Sequence, residues 1–211
     1  MAEQQNPEDT SAGSDKAIST QAKKLNEDNF LNDQYRLHGR HAYRARRLVQ
    51  VSIDPSNKSN NTTFFPRNVD VLKNAPLVGF LYQRLENEDR TKDPETDTVY
   101  EYSVMDKQMI DAHQELMYNF RIIMLLDKEH EPDETERINK GLRHFAEEKS
   151  DRDLFESYLR GGIDVLYEKL MGDDVKDVDD YMSNLIDFID DFTEMFNKNV
   201  DTKLLMEKLR K

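Results

Sequence analysis

The chain of 211 residues contains no cysteine. That excludes a disulfide scaffold, a Cys-ligated zinc or iron–sulfur centre and a thiol nucleophile, and it points to an intracellular, cytoplasmic protein. Long apolar runs are missing as well. Nowhere do roughly eighteen apolar residues stand together, and no basic stretch leads into an apolar one near the start, so neither a membrane span nor a signal peptide is expected. The glycine-rich phosphate-binding patterns G-x-x-x-x-G-K-[ST] and G-x-G-x-x-G do not occur, and neither does the G-x-S-x-G turn of serine hydrolases. Apolar content is low too. Hydrophobic residues make up 36% of the chain against 35% charged, and the mean hydropathy is −0.89, so part of the chain is expected to bury little.

What the chain has in quantity is acid: 43 Asp and Glu against 30 Lys and Arg, a formal net charge of −13. Such a balance disfavours a general attraction to nucleic acid or to an anionic membrane surface. One stretch departs from it. From Arg36 to Arg47 the chain reads RLHGRHAYRARR, five arginines with no carboxylate. In a helix, Arg36, Arg40, Arg44 and Arg47 recur at spacings of four, four and three and share an arc. Leu37, His41, Ala45 and Leu48 form the adjoining, weakly apolar arc.

Residues 1–28 are polar and acidic, with too little apolar surface to offset the entropy of ordering, and are expected to form a disordered tail. Residues 29–211 are expected to form a single helical domain: a basic helix over 29–48, a β-hairpin over 49–66, then a bundle over 74–211. The hairpin rests on the alternation of Val49, Val51 and Ile53 with polar neighbours, followed by turn formers around Pro55. In the bundle, Asn74 and Pro76 mark a helix start, with Leu77, Phe80, Leu81 and Leu85 on one face. The longest helix spans about Thr98 to Lys128 and carries Met109, His113, Leu116, Phe120 and Ile123. A short helix after Pro132 has Ile138, Leu142 and Phe145 on its apolar side. Ser150 with Asp153 resembles a capping box, and Gly161-Gly162 inside the following helix signal a kink or a close helix crossing. Gly172 suits a C-terminal cap.

Beyond it Val175, Val178, Met182, Leu185, Ile189, Phe192 and Phe196 repeat with steps of three and four, the pattern of a helix that packs lengthwise on another. The fold class is therefore mainly α, an irregular bundle of five or six helices with a small N-terminal β-hairpin and a disordered acidic N-terminal tail.

Catalytic and metal-binding patterns are thin. Of the five histidines, only His130 has a carboxylate three residues before it, Asp127, and one such pair falls short of a metal's first shell. The run Asp173, Asp174, Asp177, Asp179, Asp180 lacks the glycine and the final Glu of a calcium loop, and its carboxylates read as the water-facing side of the heptad helix. No catalytic residue, metal or cofactor is assigned.

The functional expectation is a non-catalytic helical adaptor or subunit of a larger complex. A protein partner or a second copy is expected, packing on the heptad face, and no membrane. The basic segment, Arg36, Arg40, Tyr43, Arg44, Arg46 and Arg47, would dock an anionic surface, pairing with carboxylates of the same chain or of a partner. The alternative gives the same arginines to a nucleic-acid backbone, and an enzyme with an unrecognised site ranks third.

Overall fold

The computed structural model describes residues 35–49, 65–144, 146–172, 175 and 178–199. The architecture is mainly α, with six α-helices and one small antiparallel sheet among the described residues. In chain order it runs β1 (Tyr35–His38), α1 (Gly39–Val49), α2 (Asn68–Leu81), β2 (Glu101–Val104), α3 (Asp106–Leu126) and α4 (Glu134–Ile138). A single π-helical turn over Asn139–Arg143 follows α4, then α5 (Lys149–Leu170) and α6 (Val178–Asn199). Residues 1–34 and 50–64 lie outside the described residues, and with them the proposed tail and the body of the proposed 49–66 hairpin.

The sheet of the described residues is formed in part by the basic stretch itself. β1 pairs with β2, Tyr35 opposite Val104 and Leu37 opposite Tyr102, so the basic stretch begins as a strand and becomes helical only at Gly39. Gly39 makes that change possible because its φ is +53°, a conformation in which most side chains are strained. Arg36 therefore sits on β1 and leaves the helical arc, while Val49 ends α1. Pairing with a strand more than sixty residues downstream is a tertiary contact, and over 35–38 it overrides the helical periodicity. The same pairing shortens the long helix. Val99 bridges to Lys92 and Glu101–Val104 is β2, so α3 starts at Asp106 rather than near Thr98.

The core is built on the crossing of α2 and α5. α2 starts at Asn68, six residues before the expected cap, and keeps Pro76 inside it as a buried residue. Asn74 does not cap; its amide donates to the Asp70 carbonyl at 2.7 Å. The face turned inward is Val69, Val71, Leu72, Ala75 and Val78, whereas Leu81 and Leu85 are exposed. α5 is continuous through Gly161 and Gly162, so the close crossing is realised and the kink is not. A Cβ added at Gly162 would lie 1.7 Å from the Ala75 carbonyl oxygen, and one at Gly79 would lie 2.0 Å from that of Tyr158. Only glycine lets the two backbones touch.

Around this crossing, α3 buries Met109, Leu116, Phe120 and Ile123, as its periodicity predicts, and Phe120 packs against Phe155 with ring centroids 5.6 Å apart. Two smaller expectations change. Glu148, not Ser150, precedes the first turn of α5, with the Ser150 hydroxyl donating to Glu148 Oε2. Ile138 and Leu142 are exposed rather than an apolar face, and Phe145 lies outside the described residues. Gly172 terminates α5 as expected, at φ +44°, its N–H donating to the Tyr167 carbonyl at 2.9 Å.

Candidate interaction site

The apolar arc of α1 is buried: His41, Ala42, Ala45 and Leu48 face the core. Arg40 and Arg44, one turn apart, therefore lie along the seam between α1 and α5. There they meet Asp164, a carboxylate that is 0% exposed. Arg40 Nε lies 3.2 Å from Asp164 Oδ2, Arg44 Nη1 lies 2.9 Å from Oδ1, and His41 Nε2 lies 3.4 Å from Oδ2. Burial pushes the Asp164 carboxyl up, but His41 and Arg44 together hold it below its ordinary value. An isolated carboxylate there would be costly, so the His41 and Arg44 contacts are what allow it to remain charged.

The arginines are bound further on the outer side. Arg40 Nη2 reaches Glu86 at 2.6 Å, and Arg44 reaches Glu168 at 3.2 Å while its guanidinium lies over the Tyr167 ring, 5.1 Å from the centroid. Arg84 bridges Glu86 and Glu168 from the connector that follows α2. The connector also caps α1. Asp89 Oδ2 accepts from the Arg40 backbone N–H at 2.8 Å, and Oδ1 accepts from the Thr91 N–H at 3.0 Å. The Thr91 side chain first, then the backbone N–H groups of Arg40 and Thr91, hold the Asp89 carboxyl at about 2 against the upward push of its partial burial. In effect the N-terminus of α1 is capped by a residue 49 positions away.

Of the remaining basic-segment residues, Arg46 bonds the Tyr100 hydroxyl at 3.0 Å, Tyr43 is half exposed against Tyr167, and Arg36 and Arg47 are exposed. The sequence reading missed Glu86, Asp89, Asp164 and Glu168. One signal was present for Asp164: it is the lone charge inside the run Gly-Gly-Ile-Asp-Val-Leu.

A second buried aspartate organises the opposite end of α5. Asp151 Oδ1 lies 2.7 Å from His130 Nε2 and 3.1 Å from Lys140 Nζ. Lys140 also faces Glu131 and Glu148. Asp127, which shares the three-residue spacing with His130, serves the backbone instead. Its Oδ1 accepts from the N–H groups of Glu129 and His130, and its Oδ2 accepts from the Tyr158 hydroxyl at 2.8 Å. Its carboxylate thus stabilises the turn after α3. Among the described residues no group of three or more His, Asp or Glu is placed to hold a metal ion.

The heptad residues are divided between two environments. α6 packs on the fold through Tyr181 and Phe188, with Leu185 and Phe192 half-buried, Phe188 stacking on Tyr82 at 6.5 Å between centroids. Val175 packs against the same core. Met182 and Ile189, expected on that seam, are 38% and 50% exposed, and Ile186 beside them is 55% exposed. The side chains of Val178 and Phe196 lie outside the described residues. At about 100° per residue, the apolar side of α6 spans roughly 160°, and the half nearer Phe188 is the one that is covered.

On the other flank of α6 a groove of about 570 Å³ opens toward the end of α5, lined by Phe188, Val175, Glu168, Asp187, Asp190 and Asp191 among others. Lys169 crosses it to Asp191 at 2.6 Å. No protein-family model matches the chain, and neither a curated protein nor a solved structure resembles it significantly. Among the described residues no helix is long and apolar enough to cross a membrane.

Proposed function

We propose that the protein is a non-catalytic helical adaptor, a subunit that docks a helix of a partner protein on the outer half of α6. The observation that carries this reading is the row Met182, Ile186 and Ile189. These residues recur at i, i+4 and i+7 on an ordered helix, and each is more than a third exposed. Scattered surface apolar residues need no explanation, but three in register on one helix make the kind of row that partner helices cover.

The basic segment supports the same assignment in a different capacity. Arg40 and Arg44 are committed to carboxylates, one of them fully buried, and thereby fix α1 against α5. Docking a phosphate backbone through them would require abandoning Asp164, which makes nucleic-acid binding the weaker reading.

Affinity capture from native extract with the wild-type chain and with an Ile186→Glu/Ile189→Glu variant of matched helicity tests the proposal. A stoichiometric protein held by the first and lost by the second is the expected result. Retention of nuclease-sensitive material instead, equal in both, would replace this reading with the nucleic-acid one.

A further inference from the structure

Resting on that reading, we infer that the occupant of the α6 stripe is a basic amphipathic helix: apolar residues at i, i+4 and i+7, bordered by lysine or arginine. The charges around the stripe decide this. From Val178 to Met195 the chain carries six carboxylates, Asp179, Asp180, Asp187, Asp190, Asp191 and Glu194, and no lysine or arginine. Asp179 and Asp190 fall next to Ile186 on the helical wheel, at the border between the stripe and the water-facing side. Both are exposed. The acidic groove continues the same sign around the helix, and the C-terminal end of α5, with its partial negative charge, points into the same region.

A second copy fits poorly. Two α6 helices packed at the usual 8 to 10 Å would bring these acidic borders within about one Debye length of each other with no cation between them. An acidic or neutral partner helix meets the same field or gains nothing from it. A basic one covers the apolar row and neutralises its border at once, and the attraction also raises its rate of encounter.

The test uses two fluorescently labelled helical peptides of about 18 residues with identical apolar positions, one bordered by lysine and the other by glutamate. Each is titrated with the full chain at about 0.15 M salt and followed by anisotropy. The lysine peptide is expected to bind at least about tenfold tighter than the glutamate peptide. Ile186→Ser with Ile189→Ser should weaken it by about tenfold or more. Asp179→Asn with Asp190→Asn should weaken it a few-fold and flatten its salt dependence.

Three results would overturn the inference. Equal binding of both peptides would remove the charge requirement and leave the docking stripe standing. Lysine-peptide binding indifferent to the serine substitutions would mean diffuse attraction to an acidic surface. Concentration-dependent dimers in sedimentation, abolished by the same serines, would give the stripe to a second copy. All four altered side chains are exposed, and the comparison of the two peptides on the wild-type chain needs no variant at all.

Discussion

α5 and α6 have the same length, 22 residues, and both read as amphipathic, yet the fold treats them in opposite ways. α5 is enclosed. Residues 161–166 are buried without a break, Asp164 included, and two glycines bring the backbone of α2 into contact. α6 is attached along one edge and leaves a second apolar edge in water. The difference lies in how many neighbours each helix has. α1, α2 and the connector all press on α5, whereas α6 is held along one edge, by Tyr181, Phe188 and the Lys169–Asp191 ion pair among others. An enclosed helix can carry a buried charge because its neighbours supply the counter-charge. A helix attached at one edge retains surface with which to recruit another chain.

The comparison breaks most sharply at the buried charge. Asp164→Ala leaves Arg40, Arg44 and His41 facing an empty site, and should cost about 3 to 5 kcal/mol, lowering the melting temperature on the order of 10 °C. Differential scanning calorimetry reads this directly; a change under about 1 kcal/mol would mean that the cluster is ornamental. On α6, Phe188→Ala should cost about 3 kcal/mol, while Ile186→Ala on the same helix should stay within about 0.5 kcal/mol in urea melts. Equal costs would show that the outer stripe is packed within the chain.

The distinction sharpens at Gly162→Ala, where the new methyl meets the Ala75 carbonyl and should cost about 1 to 3 kcal/mol, against the gain alanine normally brings to a helix. The smallest effect belongs to Asp89→Ala, about 1 kcal/mol for a lost cap. Because the Asp89 carboxyl is depressed from 3.8 to about 2, its contribution is complete above about pH 4 and fades as the pH falls toward 2. The gap in melting temperature between wild type and Asp89→Ala should therefore close over that range, and a gap independent of pH would remove Asp89 as the cap.

Much of the core was legible because periodicity reports burial. Met109, Leu116, Phe120 and Ile123 step along α3 as their spacing implies, and His41, Ala45 and Leu48 mark the inner face of α1. The Gly161-Gly162 pair announced a special approach, though not the identity of the backbone that would make it. Other features were hidden because their cause is non-local. Leu37 alternates in and out as a strand only because Tyr102 stands opposite it. Likewise, Asp89 caps a helix that begins 50 residues earlier in the chain, at Gly39. The heptad from Val178 onward falls on one helix, α6, but its described side chains do not form one seam. Its period places Met182 and Ile189 beside Leu185, but nothing in a period says how wide a neighbour will be.

By itself, then, the sequence determined the helical class, the lengthwise amphipathic stripe of α6, a special position at the paired glycines and the presence of one cationic segment in an acidic chain. These follow from side-chain spacing and from the volume that glycine lacks, both local properties. Only the tertiary structure decided that Arg40 and Arg44 turn inward to Asp164, that the first strand finds its mate beyond α2, and that half of α6 is left uncovered. Those outcomes depend on which surfaces meet, because a charge or an apolar row becomes buried or available only when another part of the chain arrives beside it or fails to.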